Sequence, residues 1–129
     1  MEILDPTVFV SELIDENLIV IFDHDLGGGT TLYRKRQIAE FVVNQLPVLL
    51  VLSKDRVKEK AIQLISYNGV KETYSSFLDF DRVFTELTKL KPKSIFVNSI
   101  VTFRPFIAHI KALNCYLNGQ AHADIKVAI

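Results

Sequence analysis

Two uninterrupted apolar runs, at residues 18–22 and 48–52, dominate the hydrophobic pattern of this sequence. Runs without polar alternation are typical of strands that are covered on both faces, as in a parallel sheet. We therefore predict buried strands at residues 18–23 and 48–53. Shorter apolar runs predict further strands at residues 94–99 and 125–129.

In most of the segments between these runs, apolar residues recur at the three- and four-residue intervals that are typical of helices. A helix is predicted over residues 31–45, before Pro47. Its predicted inward face consists of Leu32, Ala39, Val42, Val43 and Leu46. Three further helix starts are indicated by capping residues or proline, at Asp5-Pro6, at Asp79 or Asp81, and at Pro105 with a helix to about residue 117.

The segment at residues 62–74 departs from this alternation. Asn68-Gly69 is a strong hairpin signal, and it joins two short β patterns at 62–67 and 70–74. The remaining order of elements implies right-handed crossovers between parallel strands. We predict an α/β, Rossmann-like fold with a mainly parallel sheet, helices on both faces and a β-hairpin insertion. The predicted domain covers residues 17–129 and follows an N-terminal helical extension at residues 1–16.

Composition narrows the classes of partner and compartment. Fifteen basic residues match fifteen acidic ones over 129 residues, whereas nucleic-acid-binding domains are normally strongly basic, so we predict no nucleic-acid partner. Cys115 is the single cysteine, which excludes an internal disulfide and fits a reducing compartment. Because no apolar run approaches the roughly 20 residues that cross a membrane, we expect a cytoplasmic protein.

Three consecutive glycines, Gly27, Gly28 and Gly29, follow the first predicted strand and precede a helix. Glycine lets the backbone take positive φ and approach a ligand closely, and the unpaired N–H groups of a helix start attract anions. We predict a phosphate or anion site here, with a structural turn as the open alternative. Leu32 stands where the third glycine of a dinucleotide-binding turn belongs, and no P-loop sequence is present, which disfavours NAD enzymes and P-loop ATPases.

Polar residues end the buried strands. Asp23, His24 and Asp25 end the first one, and because consecutive strand residues point to alternate faces, the three cannot converge on one ion; we predict no metal site. Hydrogen bonds that fix the turn are the favoured explanation for Asp23. His24 is left open as a base or as a donor to a sugar hydroxyl. Asn98 and Ser99 end a later strand, where chain exit and contact with a hydroxyl or phosphate are equal alternatives.

Residues 23–30, with the sequence DHDLGGGT, are followed by Tyr33 and Arg34. This stretch resembles the first βα turn of GT-B fold glycosyltransferases, especially the bacterial proteins that build surface polysaccharides, including those of rhamnan synthesis. Residues 95–103 (IFVNSIVTF) are similar to the strand and loop that these proteins carry before their next helix. The hairpin and the strand at 125–129 follow the same order.

The resemblance implies the N-terminal, acceptor-side domain of an enzyme that transfers a sugar from a nucleotide-diphosphate sugar to a growing surface polysaccharide or another glycan acceptor. It implies that backbone N–H groups bind the donor phosphates at Gly27, Gly28, Gly29 and Thr30. It places on the acceptor side His24, Asp25, Arg34, Asn98 and Ser99. It implies no cofactor, since the nucleotide sugar is a substrate, and it assigns no catalytic residue.

The C-terminal donor domain of that family, with its paired glutamates, has no counterpart in this sequence. We therefore expect the chain to be cut from a longer enzyme before its donor domain, and to be inactive alone. A homodimer and peripheral contact with the inner face of a membrane are left open. The alternative is a stand-alone, non-catalytic module for phosphate or metabolite binding or for dimerisation. A small phosphatase or kinase-like enzyme is disfavoured because no P-loop and no paired acid and nucleophile are evident.

Overall fold

A computed structural model describes residues 2–13, 15–24, 30–54, 62–68, 71–76, 78–87, 90, 92–98 and 124–127. Its strands are β1 (Glu2–Leu4), β2 (Ile19–His24), β3 (Val48–Ser53), β4 (Ile62–Asn68), β5 (Lys71–Ser75), β6 (Ser94–Val97) and β7 (Asp124–Val127). Its helices are α1 (Pro6–Ser11), α2 (Thr30–Val43) and α3 (Phe80–Leu87).

The strands form one mixed sheet in the order β1-β5-β4-β3-β2-β6-β7. Strand β2 is parallel to both of its neighbours, β3 and β6, and the outer pairs β6–β7 and β1–β5 are also parallel. Strand β4 is antiparallel to β3 and to β5. The predicted α/β class and mostly parallel sheet are confirmed, and β4 with β5 forms the predicted antiparallel pair.

Separate apolar clusters cover the two faces of the sheet. Because side chains alternate along a strand, Phe22 of β2 points to one face and Ile21 to the other. Helices α1 and α3 pack on the face of Phe22, and α2 packs on the face of Ile21. Strands β2 and β3 are buried along their whole length, which explains their unbroken apolar runs. Each fully buried side chain of this size stabilises the fold by about 1.5–3 kcal/mol relative to exposure.

The predicted inward face of α2 is correct only in part. Val42 and Leu46 pack against the apolar cluster on the face of Ile21. Leu32 and Val43 are 57% and 80% exposed, and Ala39 is exposed as well. The helix also turns Arg34 and Ile38 toward the sheet, and both are buried. Apolar spacing placed the face partly wrongly because the true inward face includes a charged side chain.

The N-terminal segment contributes to both the sheet and the core. The side chain of Asp5 accepts a hydrogen bond from the N–H of Thr7 at 2.9 Å and Pro6 opens α1, so the predicted cap is confirmed. Strand β1, which the sequence pattern did not predict, pairs with β5. Phe9 of α1 is buried against α3 and the sheet. The boundary between residues 16 and 17 stays a prediction, and the helix predicted at 105–117 lies outside the described residues.

Candidate functional site

The candidate site lies at the carboxyl ends of β2, β3 and β6. From β2 the chain crosses to β3 on one side through α2, and later reaches β6 on the other side, so the crossover direction reverses at β2. His24 at the end of β2 lies opposite Ser53 of β3. The N–H of Asn98, directly after β6, donates to the carbonyl of Phe22 at 2.8 Å. Open α/β sheets bind their ligands at such a reversal.

A buried ion pair joins α2 to the end of β2. The Oδ2 atom of Asp23 lies 3.2 Å from Nη1 of Arg34, and the two side chains are 0% and 8% exposed. The same Nη1 donates a hydrogen bond of 2.8 Å to the carbonyl of His24. The second carboxylate oxygen of Asp23, Oδ1, accepts the N–H of His24 at 2.7 Å. The last two residues of β2 are therefore held by one guanidinium and one carboxylate.

The ion pair is held by charge rather than by hydrogen-bond geometry. Among the described residues, Oδ2 of Asp23 is buried and has no hydrogen-bond partner, although Nη1 of Arg34 is 3.2 Å away. The attraction between opposite charges depends weakly on angle and is strong in a buried site, so the 3.2 Å separation is enough to hold the pair together. Removing either partner of a buried ion pair leaves the other charge unpaired and lowers the free energy of unfolding by about 3–5 kcal/mol.

A second contact joins α2 to β6. The Nδ2 group of Asn98 donates to Oε1 of Gln37 at 2.7 Å. Asn98 is buried and Gln37 is half-buried. Gln37 follows Arg34 by three residues, so the two lie on one face of the helix. The first half of α2 is thus attached to both strands that flank the reversal.

These contacts bring together three of the predicted site residues, His24, Arg34 and Asn98, around the end of β2. Thr30 is the first residue of α2, one position before the predicted helix start. The remaining predicted site residues lie outside the described part of the chain: Asp25, Gly27, Gly28, Gly29 and Ser99. Their assignments stay predictions.

The sequence pattern missed Gln37, and it assigned no partner to Asp23. A usable signal was present in the spacing of the helix: Arg34, Gln37 and Ile38 recur at intervals of three and four residues on one face. This spacing places the three side chains on one face, whereas their burial and their polar partners depend on residues of other elements.

The arrangement is suited to holding polar ligands. The described residues around the end of β2 offer a histidine, the buried amide of Asn98 and the half-buried amide of Gln37. They lie beside the start of a 14-residue helix, whose N–H groups favour anions. Within the described residues, no group of three metal-ligating side chains is found.

A second concavity lies on the hairpin side of the sheet, between α1 and strands β4 and β5. Its volume is about 60 Å³, and its lining includes Glu12, Ser66, Lys71 and Thr73. Binding sites for small molecules usually measure about 300–1,000 Å³. This concavity is smaller than the usual site for a sugar or a nucleotide.

Comparisons with protein-family models, with curated proteins and with solved structures found no match to this chain. Of the helices in the described segments, none combines the length and the apolar character needed to span a membrane.

Proposed function

We propose that this chain is the N-terminal, acceptor-side domain of a nucleotide-sugar-dependent glycosyltransferase with a Rossmann-like fold. The observation that carries the proposal is the polar cluster at the end of β2. Asp23, His24 and Arg34 meet there, at a reversal of the parallel sheet and directly before the three glycines in sequence. The resemblance of residues 23–30 to a glycosyltransferase turn supplies the class of ligand.

In this proposal the donor diphosphate binds backbone rather than side-chain groups. The charge of Arg34 is offset by Asp23 within 3.2 Å, so it contributes little net attraction to an anion. The attraction comes instead from N–H groups of Gly27, Gly28, Gly29 and Thr30 and from the positive end of the α2 dipole. These groups stabilise the negative charge that develops on the departing diphosphate, and the step requires no metal from this domain.

The acceptor lies on the same edge of the sheet, against His24, Asp25, Asn98 and Ser99. The buried amide of Asn98 is already held by Gln37 and by the β2 backbone. A fixed hydrogen-bonding group of this kind can orient a sugar hydroxyl without the entropy loss of ordering a free side chain. A second domain supplies the nucleotide contacts, so the 129-residue chain alone is expected to show no sugar transfer.

The proposal is tested by titrating the ¹⁵N-labelled chain with uridine diphosphate, with uridine and with inorganic pyrophosphate. We expect the two diphosphate-containing probes to shift the amide signals of residues 27–30, and uridine to leave them unchanged. Amide signals at 27–30 that do not respond to either diphosphate would overturn the proposed donor-phosphate site. Sugar transfer by the isolated chain would overturn the proposed need for a second domain.

A stand-alone binding or dimerisation module is the second candidate, and the outer face of α2 favours it. Leu32, Tyr33 and Val43 are all more than half exposed there. Leu32 and Val43 lie about three turns apart on the same side of the helix, and an exposed apolar strip can form part of an interaction surface. Sedimentation at micromolar concentration distinguishes the candidates: a stable dimer that binds no diphosphate supports the module, and a diphosphate-binding chain supports the glycosyltransferase domain.

A further inference from the structure

Arg34 connects the two ends of the segment that carries the glycines. Residues 25–29 join His24, the last residue of β2, to Thr30, the first residue of α2. Arg34 lies one turn into α2, and its Nη1 atom donates to the carbonyl of His24, ten residues earlier, at 2.8 Å. One side chain therefore fixes the distance between the strand end and the helix start.

The environment of Arg34 argues against a direct contact with a ligand. Its side chain is 8% exposed, and its guanidinium faces the Asp23 carboxylate, which is 0% exposed. A phosphate or a sugar that took the place of this carboxylate at Nη1 would displace Asp23. That displacement would leave a buried carboxylate without its partner, at a cost of several kcal/mol. The geometry thus favours an indirect role, in which Arg34 acts on the site by holding His24 and α2 in place.

We propose that Arg34, paired with Asp23, is a positioning residue that sets the separation between the end of β2 and the start of α2, and thereby the affinity of the glycine segment for a diphosphate. The inference rests on the proposed function, because it takes the diphosphate site at Gly27–29 and Thr30 as given. It differs from the resemblance, which places Arg34 in contact with the acceptor.

The physical reason is preorganisation. Ordering a glycine-containing segment around a ligand costs conformational entropy, because glycine has the most backbone freedom to lose. Fixing both of its ends reduces that cost before the ligand arrives. Gln37 supports the same arrangement from β6 through Asn98, so α2 cannot pivot freely about the Arg34 contact. Binding that depends on backbone N–H groups is sensitive to such placement, since their directions follow the backbone.

The test measures pyrophosphate affinity of the 129-residue chain from the amide shifts of residues 27–30. The variants are Arg34→Gln, Arg34→Lys and the double variant Asp23→Asn with Arg34→Gln, which leaves no unpaired buried charge. Lys35→Gln is the matched control, because it removes one positive charge from an exposed neighbouring position of the same helix. Each variant is first checked for a folded spectrum.

We expect Arg34→Gln and the double variant to weaken pyrophosphate binding about tenfold or more, because misplaced binding groups lose affinity steeply. Arg34→Lys should keep most of the wild-type affinity for pyrophosphate, since its ammonium group can still approach Asp23 and the His24 carbonyl. Lys35→Gln should change binding less than about twofold, as expected for an exposed, screened charge. If Arg34→Gln does not fold, the double variant and Arg34→Lys decide.

Three results would count against the inference, and they are distinguishable. A wild-type chain that binds no pyrophosphate at residues 27–30 overturns the proposed site, and the positioning role with it. A wild-type chain that binds, together with a folded double variant that binds equally well, overturns the positioning role and leaves the proposed function standing. A loss of the same size in Lys35→Gln would also overturn it, because the effect would then be one of net charge.

Discussion

The side chain of Asn98 donates to Oε1 of Gln37 at 2.7 Å, which joins the end of β6 to α2 across 61 positions of sequence. The backbone N–H of Asn98 simultaneously donates to Phe22 of β2. One residue therefore connects three elements at the point where the sheet reverses its crossover direction. A buried amide in this position explains why a polar residue directly follows the buried Val97.

Replacing Asn98 with alanine tests this connection. The change leaves the half-buried Gln37 carbonyl without its donor, which we expect to lower the free energy of unfolding by about 1–3 kcal/mol. Asn44→Ala is the matched control: its Nδ2 also donates one bond of 2.8 Å, but at an exposed position, so we expect a change within about 0.5 kcal/mol. Urea denaturation measures both, and equal effects would show that the Asn98 contact does not stabilise the fold.

The sequence pattern predicted the central strands because their physical cause is local. Strand β3 matches its prediction at both ends, and β2 is displaced by one residue, since unbroken apolar runs follow directly from burial on both faces. Asn68 likewise ends β4, next to the predicted hairpin dipeptide. Strand β1 was missed because a strand of three residues is too short to show an alternating pattern of apolar side chains. Its pairing with β5 also depends on contacts about 70 residues apart.

The candidate site was predictable only in part, for a related reason. Strand ends and the glycine triplet can be read along the chain, so His24 and Asn98 were identified. The burial of Arg34 could not be predicted from the sequence. A buried guanidinium is tolerable only beside a partner, and its partner Asp23 is eleven residues away on another element. The same buried arginine explains why the predicted inward face of α2 was partly wrong, since the spacing rules assume that inward residues are apolar.

Ionisation of the Tyr67 hydroxyl should lower the stability of the fold at alkaline pH. Burial raises the pKa of its hydroxyl above the usual 10.0, Glu72 raises it further, and Arg34 partly offsets these effects. A raised pKa means that the folded chain holds the proton more tightly than the unfolded chain. Stability that is present below pH 10.0 is therefore lost as the pH rises through the folded pKa.

We expect Tyr67→Phe, which keeps the ring and removes the titrating group, to lose less thermal stability than wild type between pH 8 and 11. Tyr33→Phe is the matched control, because Tyr33 is 54% exposed on α2. The measurement is Tm as a function of pH. A Tyr67→Phe curve that falls in parallel with wild type would refute the assignment.

The glycine segment provides a prediction for the proposed two-domain enzyme. A valine at position 28 adds a β-branched side chain where close approach of backbone to diphosphate is proposed. We expect Gly28→Val to reduce kcat for donor turnover by about a hundredfold or more, as for the loss of one charge-stabilising donor. Gly28→Ala should lie between valine and wild type. Circular dichroism and thermal unfolding check the fold, and wild-type turnover by a folded valine variant would remove Gly28 from the site.

Phe9 tests whether residues 1–16 are an appendage or part of the folding unit. Its side chain is 2% exposed and packs with α3 and the sheet in one apolar cluster. If α1 unfolds together with the sheet, Phe9→Ala should lower the free energy of unfolding by about 3–5 kcal/mol, because it removes buried area and leaves a cavity.

Val8→Ala is the matched control, since Val8 is one position earlier on the same helix and 48% exposed; we expect a change within about 0.5 kcal/mol. Urea denaturation followed by circular dichroism measures both variants. A single transition with a large Phe9 effect makes α1 integral to the domain. An effect as small as that of Val8 would mean that α1 detaches before the sheet unfolds, as an independent extension would.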